Sequence, residues 1–147
     1  MKAVNLRVAL DTNVLVQLFS SGSERHAETL ARYRELRHAG AEIVLAENVV
    51  LEAFSVLSRS PHPVGIPPPD AERLLTETFR DAIIAPLKPG FAWEAMRHTL
   101  SRGFWGGRVW DTAIALAVYE AGARLLLTWN VRHFRSVAPV GLEVREP

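Results

Sequence analysis

The fold of this chain is decided by the stretch Leu6-Arg7-Val8-Ala9-Leu10-Asp11-Thr12-Asn13-Val14-Leu15-Val16. Its first half is a short apolar run, typical of a buried strand, and it ends at three polar residues before a second apolar run begins. The carboxyl ends of parallel strands line the crevice where ligands bind, so Asp11 is the first candidate site residue. Asp11 also suits a helix N-cap, and taken alone it favours the cap.

The composition predicts a globular protein with a hydrophobic core. The chain has 147 residues, of which 48% are hydrophobic and 22% are charged, an ordinary balance for such a protein. A formal net charge of +1 neither indicates nor excludes a nucleic-acid binder, because local patches matter more than totals. We therefore expect one domain over residues 1–147.

Two absences from the sequence narrow the class of protein. There is no cysteine, which excludes disulfides and thiolate metal sites and fits a reducing cytoplasm. No apolar run approaches the ~18 residues that a membrane helix needs. We expect a cytoplasmic protein that does not enter a membrane.

Strands and helices alternate along the rest of the chain. Strands are predicted over 7–10, 42–46, 83–85, 124–128 and 140–144. Helices are predicted over 14–19, 26–39, 48–59, 70–81, 91–100 and 109–121, with Asp70 as the cap of the fourth. Five prolines make 60–69 a stiff loop. This alternation indicates a three-layer α/β/α fold with a mostly parallel central sheet.

Three more polar residues are expected at the same sheet edge as Asp11. Glu52 lies early in the helix predicted over 48–59, and Asp111 lies in the first turn of the strongly apolar helix predicted over 109–121. Asn130 follows the fourth predicted strand. Both acids have a local explanation: Glu52 belongs to a narrow solvated stripe, and Asp111 is favoured by the helix dipole. Connecting helices run antiparallel to parallel strands, however, which brings all four residues to the carboxyl edge.

Several carboxylates in one crevice indicate a cation-binding site. They repel one another, which raises their pKa values or requires a positive ion. With no cysteine and no convergent histidine pair, the donors are hard oxygens, which suit Mg²⁺ or Mn²⁺ rather than zinc. Such a site can activate water and neutralise phosphate charge, so it favours phosphoryl chemistry. No phosphate-binding glycine loop or dinucleotide fingerprint competes with this interpretation.

Four segments together resemble the PIN-domain proteins of the VapC toxin type. They are LDTNVLV at 10–16, VVLEA at 49–53, GRVWDTAIA at 107–115 and LTWNVRHF at 127–134. The resemblance spans essentially the whole chain. It implies a compact α/β/α domain and a metal-dependent endoribonuclease of single-stranded RNA, which hydrolyses phosphodiester bonds with a metal-activated water.

The resemblance also implies roles for individual residues. Asp11, Glu52 and Asp111 match the acids that bind Mg²⁺ or Mn²⁺, and Thr12 and Asn13 support the first motif. The chain departs from the family at the fourth acidic position. Asn130 stands there, with His133 nearby, and an amide contributes neither charge nor base.

Partners follow from the resemblance as well. It implies a homodimer and a cognate antitoxin that blocks the active site. Arg108, Arg132 and Arg135 flank the acidic motifs and are the candidate phosphate contacts. The proline loop over 60–69 is a candidate for partner or substrate selection.

Two questions stay open at the level of sequence. Asn130 supports an alternative function, a non-catalytic PIN-fold module that binds RNA or an antitoxin without turnover. In the glycine-rich loop over 101–108, Phe104 and Trp105 beside Arg108 could stack on bases or simply pack against the fold. An aspartyl phosphatase is disfavoured because Asn13 stands where a second acid is needed.

Overall fold

The structure is a computed structural model and describes residues 5–59 and 65–147. Within these ranges the strands are β1 (Arg7–Leu10), β2 (Glu42–Ala46), β3 (Ile83–Ala85), β4 (Leu125–Leu127) and β5 (Glu143–Arg145). The helices are α1 (Thr12–Phe19), α2 (His26–His38), α3 (Glu47–Arg59), α4 (Pro68–Thr78), α5 (Phe91–Ser101), α6 (Arg108–Glu120) and α7 (Val131–Val137).

The five strands form one sheet in the order β3-β2-β1-β4-β5, and every neighbouring pair is parallel. Ala9 of the central strand is level with Val44 on one side and Leu126 on the other. From β1 the chain builds outward to β2 and β3, and it then returns to place β4 and β5 on the opposite side. The strand order therefore reverses between β1 and β4, which is where open α/β sheets bind ligands.

Helices cover both faces of this sheet. Right-handed crossovers place α1 to α4 on one face and α5 to α7 on the other. The packing agrees, because α1 contacts α2 and α3, α3 contacts α4, and α6 contacts α5 and α7. The predicted three-layer α/β/α fold is confirmed, and the described sheet is wholly parallel.

The core lies where the central strands meet both helix layers. Val8, Ala9 and Leu10 of β1 are buried, as are Leu45 of β2 and Leu126 of β4. A strand covered on both faces is apolar at every position, which explains the continuous runs in the sequence. These runs end together at the carboxyl edge, so polar residues begin there.

The element boundaries differ from the predictions in the fourth helix. Helix α4 begins at Pro68, its cap position is Pro67 rather than Asp70, and it ends at Thr78. Proline suits the first turn because its missing N–H has no helical partner there. The predicted loop over 60–69 therefore stops short of Pro68, and residues 60–64 lie outside the described residues.

Smaller differences occur near the carboxyl terminus. Helix α7 was not predicted, since seven residues are too few for a periodic pattern, and it is held by the buried side chain of Phe134. Strand β5 begins at Glu143, later than the predicted 140. In the described part of the chain, no helix has the length and hydrophobicity required to cross a membrane.

Candidate active site

Asp11 is held rigidly at the end of β1. Its Oδ1 accepts a hydrogen bond from the Thr12 backbone N–H at 2.7 Å, and its Oδ2 accepts one from Thr128 Oγ1 at 2.8 Å. The side chain caps α1, so the local interpretation of Asp11 as an N-cap is correct. The residue is only 6% exposed. One buried carboxylate thus caps α1 and also contacts Thr128 at the end of β4.

Thr128, which follows β4, ties the ends of β1 and β4 together. Besides donating to Asp11, its hydroxyl accepts hydrogen bonds from the Asn130 backbone N–H at 2.9 Å and from Asn13 Nδ2 at 3.3 Å. Asn13 Oδ1 in turn accepts from the Trp129 backbone N–H at 3.0 Å. The sequence pattern did not single out Thr128. Its place directly after an apolar strand, as Asp11 follows β1, is the only local indication of its role.

Glu52 reaches the site from the neighbouring helix. Its Oε2 accepts a hydrogen bond from Thr12 Oγ1 at 3.0 Å, because α3 packs against α1. Glu52 is exposed, unlike Asp11. The first motif thus contacts two acids, through the Thr12 backbone and through its hydroxyl.

Asp111 approaches from the opposite helix layer, in the first turn of α6. Its Oδ2 lies 3.8 Å from His133 Nδ1, and Asn130 Nδ2 lies 3.0 Å from the same nitrogen. His133 therefore bridges the third acid and the residue at the fourth position. The side chain of Asp111 is 20% exposed and that of His133 is 46% exposed.

These side chains share a cavity of about 350 Å³, here called the carboxylate cavity. All four predicted catalytic residues line it, together with the two predicted supporting residues: Asp11, Glu52, Asp111, Asn130, Thr12 and Asn13. Trp110 and Ile114 of α6 contribute apolar walls. The cavity opens at the carboxyl ends of β1 and β4, where the strand order reverses.

The negative charges of the carboxylates in this cavity repel one another. Burial raises the pKa of Asp11 to about 6, and the negative charges of Asp111 and Glu52 add to the rise, while hydrogen bonds from Thr128 and Thr12 oppose it. Burial also raises the pKa of Asp111; His133 and Arg108 counter this effect, and Glu52 adds to it. An added positive charge would relieve this repulsion.

The donors suit a hard divalent cation, although no finished ligand set is present. Carboxylate oxygens and an amide are the groups that Mg²⁺ and Mn²⁺ prefer. Among residues 5–59 and 65–147, no three His, Asp or Glu side chains are grouped closely enough to hold a metal ion as they stand.

The three arginines predicted to contact phosphate differ in their surroundings. Arg108 stacks on the ring of Phe104, 4.7 Å from its centroid, and donates to Ser136 Oγ. Arg135 donates twice to the Val144 carbonyl oxygen, at 3.2 and 3.1 Å. Arg132 is exposed and, with Arg135, lines another cavity that also reaches Asn130. Of the three, only Arg108 lies beside Asp111.

Comparison with known proteins places this arrangement in a family. The PIN domain model matches residues 8–138. Ribonuclease VapC27 of Mycobacterium tuberculosis (strain ATCC 25618 / H37Rv) is 32% identical over 138 residues, covering 93% of this chain and 94% of that protein.

Two solved structures share the fold. VapBC2 from Rickettsia felis, bound to a DNA fragment from its promoter, matches with a TM-score of 0.66 and 19% identity over 97% of this chain and 99% of that chain. VapC20 of Mycobacterium tuberculosis, a toxin that cleaves the sarcin-ricin loop, matches with a TM-score of 0.60 and 14% identity over 81% of this chain and 86% of that chain. The chain belongs to the PIN-domain family, among proteins of the VapC type.

Proposed function

We propose that this protein is a metal-dependent endoribonuclease and the toxin of a toxin-antitoxin pair. The observation that carries the proposal is the carboxylate cavity, where Asp11, Glu52, Asp111 and Asn130 arrive from four separate elements. The three acids come from one strand end and two helices, and the cap that Asp11 provides to α1 explains the position of that residue alone. Their mutual repulsion raises the free energy of the folded protein unless a cation is bound.

The named relatives support the choice of RNA as substrate. VapC27 is named a ribonuclease, and its similarity extends over nearly the whole of both chains. VapC20 is described as a toxin that cleaves the sarcin-ricin loop. The proposal transfers only the reaction class, the hydrolysis of an RNA phosphodiester bond.

Each residue in the cavity has a distinct proposed task. Asp11 and Asp111 would hold Mg²⁺ or Mn²⁺, and Glu52 would join them or orient the attacking water. When bound, the cation would neutralise charge on the phosphate and make water more acidic. Asn130 would orient water through its amide without accepting the proton.

The supporting residues act on the acids rather than on RNA. Thr12 and Thr128 donate to both oxygens of Asp11, which fixes the directions of its remaining lone pairs. Thr12 Oγ1 also holds Glu52. Asn13 joins the two strand ends through Trp129. These contacts keep the acids oriented before a substrate arrives.

We also propose a protein partner. The R. felis relative was crystallised as VapBC2, an assembly with its promoter DNA. By this analogy a cognate antitoxin would bind this chain. The family resemblance adds two further proposals, that the antitoxin covers the carboxylate cavity and that the toxin is a homodimer.

The test is inducible expression in a bacterial host. Wild type, Asp11→Asn and Asp70→Asn would be compared by growth and by mapping new RNA 5′ ends. Asp70 pairs with Arg73 on α4, outside the carboxylate cavity, so Asp70→Asn controls for the loss of an aspartate. We expect growth arrest with discrete new ends in wild type and Asp70→Asn, both abolished in Asp11→Asn. Arrest that survives Asp11→Asn would contradict the metal-nuclease mechanism.

A non-catalytic module is the second candidate. One observation favours it: Asn130 stands at the position where the family resemblance implies a fourth acid. Calorimetric titration with Mn²⁺ separates the two. If the protein is a nuclease, wild type should bind Mn²⁺ with a measurable heat that is lost in Asp11→Asn and Asp111→Asn. If it is a module without turnover, even wild type should bind little Mn²⁺.

A further inference from the structure

A second cavity, of about 560 Å³, adjoins the first. It is called the aromatic cavity here, and its lining residues are Phe104, Trp105, Gly107, Arg108, Asp111, Asn130 and His133. Asp111 and Asn130 line both cavities. If an RNA strand placed one phosphate at the carboxylates, its neighbouring nucleotide would therefore lie beside the aromatic cavity.

Trp105 is presented to solvent rather than used by the core. It is 77% exposed and lies in the loop between α5 and α6, flanked by Gly103 and Gly106, which both have positive φ. Trp129 shows the contrast. Its Nε1 donates to Thr29 Oγ1 at 3.1 Å and its ring lies under Arg25. The ring of Trp105 is thus available for a ligand.

The wall beside Trp105 is fixed by its own contacts. The Phe104 backbone N–H donates to the Thr99 carbonyl oxygen at 3.1 Å, and the Phe104 ring stacks under Arg108. Arg108 is held from the other side by Ser136 Oγ, which itself donates to the His133 carbonyl oxygen. A guanidinium held in this way keeps its positive charge at the cavity.

Two other lining residues provide hydrogen-bonding groups. Asn130 and His133 carry an amide and an imidazole there, in contact with each other. An aromatic face, a fixed cation and polar groups that can pair with a base edge are the features by which proteins bind unpaired bases. The volume also lies within the range of small-ligand pockets.

We propose that the aromatic cavity binds one unpaired base of single-stranded RNA, next to the phosphate that is cut, with Trp105 as the stacking surface. The inference rests on the proposed function and adds to it a base-binding site and the residue that stacks on the base. Bases in a duplex are stacked on each other and cannot reach Trp105. The site therefore selects single-stranded or looped RNA.

The experiment measures binding without turnover. Fluorescently labelled single-stranded RNA of random sequence, roughly 12 nucleotides long, is titrated in EDTA with wild type, Trp105→Ala, Trp105→Leu and Trp105→Phe. Trp93→Ala is the matched control, since Trp93 is 63% exposed on α5 and lines neither cavity. Duplex RNA of the same length is the second probe.

Loss of the stacking face should weaken single-strand binding roughly 5- to 100-fold in Trp105→Ala and Trp105→Leu. Trp105→Phe should stay within about threefold of wild type because it retains an aromatic face. Trp93→Ala and all duplex affinities should be unchanged. Equal single-strand affinities for Trp105→Ala and Trp93→Ala would overturn the assignment. This is the result expected if Trp105 contacts only a protein partner. No single-strand binding by wild type would overturn it too.

Cleavage in Mn²⁺, assayed in parallel, separates this inference from the proposed function. Cleavage by wild type with no effect of Trp105→Ala on binding would leave the nuclease standing and remove the base site. Loss of binding in Trp105→Ala with no cleavage by wild type would keep the base site and contradict the nuclease.

Discussion

At the end of β1, burial makes the ionised form of Asp11 less favourable. Asp11 has a pKa of about 6 in the folded protein, against the ordinary 3.8. Folding therefore favours the protonated carboxyl. The stability that this residue contributes is fully present below about pH 4 and is lost as the pH rises through about 6.

Asp11→Asn should therefore stabilise the metal-free protein at neutral pH. An amide carries no charge to bury, and the Thr128 hydroxyl that donated to Asp11 can donate instead to Asn13 Oδ1, 3.5 Å away. We therefore expect the free energy of unfolding of Asp11→Asn at about pH 7.5 to exceed that of wild type by roughly 1–3 kcal/mol, with little difference near pH 4. Thermal unfolding in EDTA at both pH values measures this, with Asp70→Asn as the control. A variant less stable than wild type at neutral pH would contradict the assigned cost.

Thr128→Val tests the hydroxyl that joins the strand ends. Valine has the same shape but cannot donate to Asp11 or accept from Asn130. Because a hydrogen bond that lowers the pKa of Asp11 is lost, Mn²⁺ binding should begin at higher pH. The free energy of unfolding should fall by about 1–3 kcal/mol.

Thr99→Val is the matched control for Thr128→Val. Thr99 is also buried and hydrogen-bonded, to Ala95 and Thr112, but not to Asp11. It should lose similar stability without moving the pH profile of Mn²⁺ binding, as followed by calorimetry. An equal shift in both variants would show that the effect is general loosening.

Among the elements, α6 depends on the way in which it ends. The Gly122 N–H donates to the Tyr119 carbonyl oxygen and the Ala123 N–H to that of Val118, with Gly122 at φ +93°. A Cβ there would lie 2.7 Å from Arg7 Nη1, the atom that donates to the Ala121 carbonyl oxygen. The turn therefore requires glycine, and a side chain at this position would also displace the end of the Arg7 side chain.

Gly122→Ala should lower the free energy of unfolding by roughly 1–3 kcal/mol, through backbone strain and displacement of Arg7. Urea denaturation measures the change. Gly107→Ala is the control, since Gly107 has φ −60° and open space around its Cα, so alanine there should be neutral or slightly stabilising. Equal stabilities for the two variants would contradict the argument.

For the whole molecule, the site exists only because both helix layers converge on the switch between β1 and β4. A divalent ion that binds only the folded protein should stabilise it by about 2.7 kcal/mol at a hundredfold excess over Kd. Mn²⁺ should therefore raise the Tm of wild type by several degrees. Glu52→Gln and Asp111→Asn should lose most of this rise.

Glu94→Gln serves as the control for that measurement. Glu94 is exposed in the first turn of α5 and lines neither cavity. It should keep the full response to Mn²⁺. A rise in Tm that survives in Glu52→Gln and Asp111→Asn would place the ion elsewhere.

Much of the fold could be predicted from local patterns. The apolar runs at β1, β2 and β3 predicted their bounds correctly, because a strand buried on both faces is marked by its own residues. The α4 start and α7 could not be predicted in this way. Proline normally breaks a helix, so Pro68 indicates a loop unless its place in the first turn is known. Helix α7 is held in position by one buried residue, Phe134.

The sequence by itself determined that Asp11 ends a strand and caps a helix, since both depend on residues a few positions away. Only the tertiary structure decided that Thr128 donates to that same carboxylate from 117 positions along the chain. It also decided that His133 bridges Asp111 and Asn130, and that Trp105 stays exposed beside them. Strand register and helix packing set those distances, and both are collective properties of the whole chain.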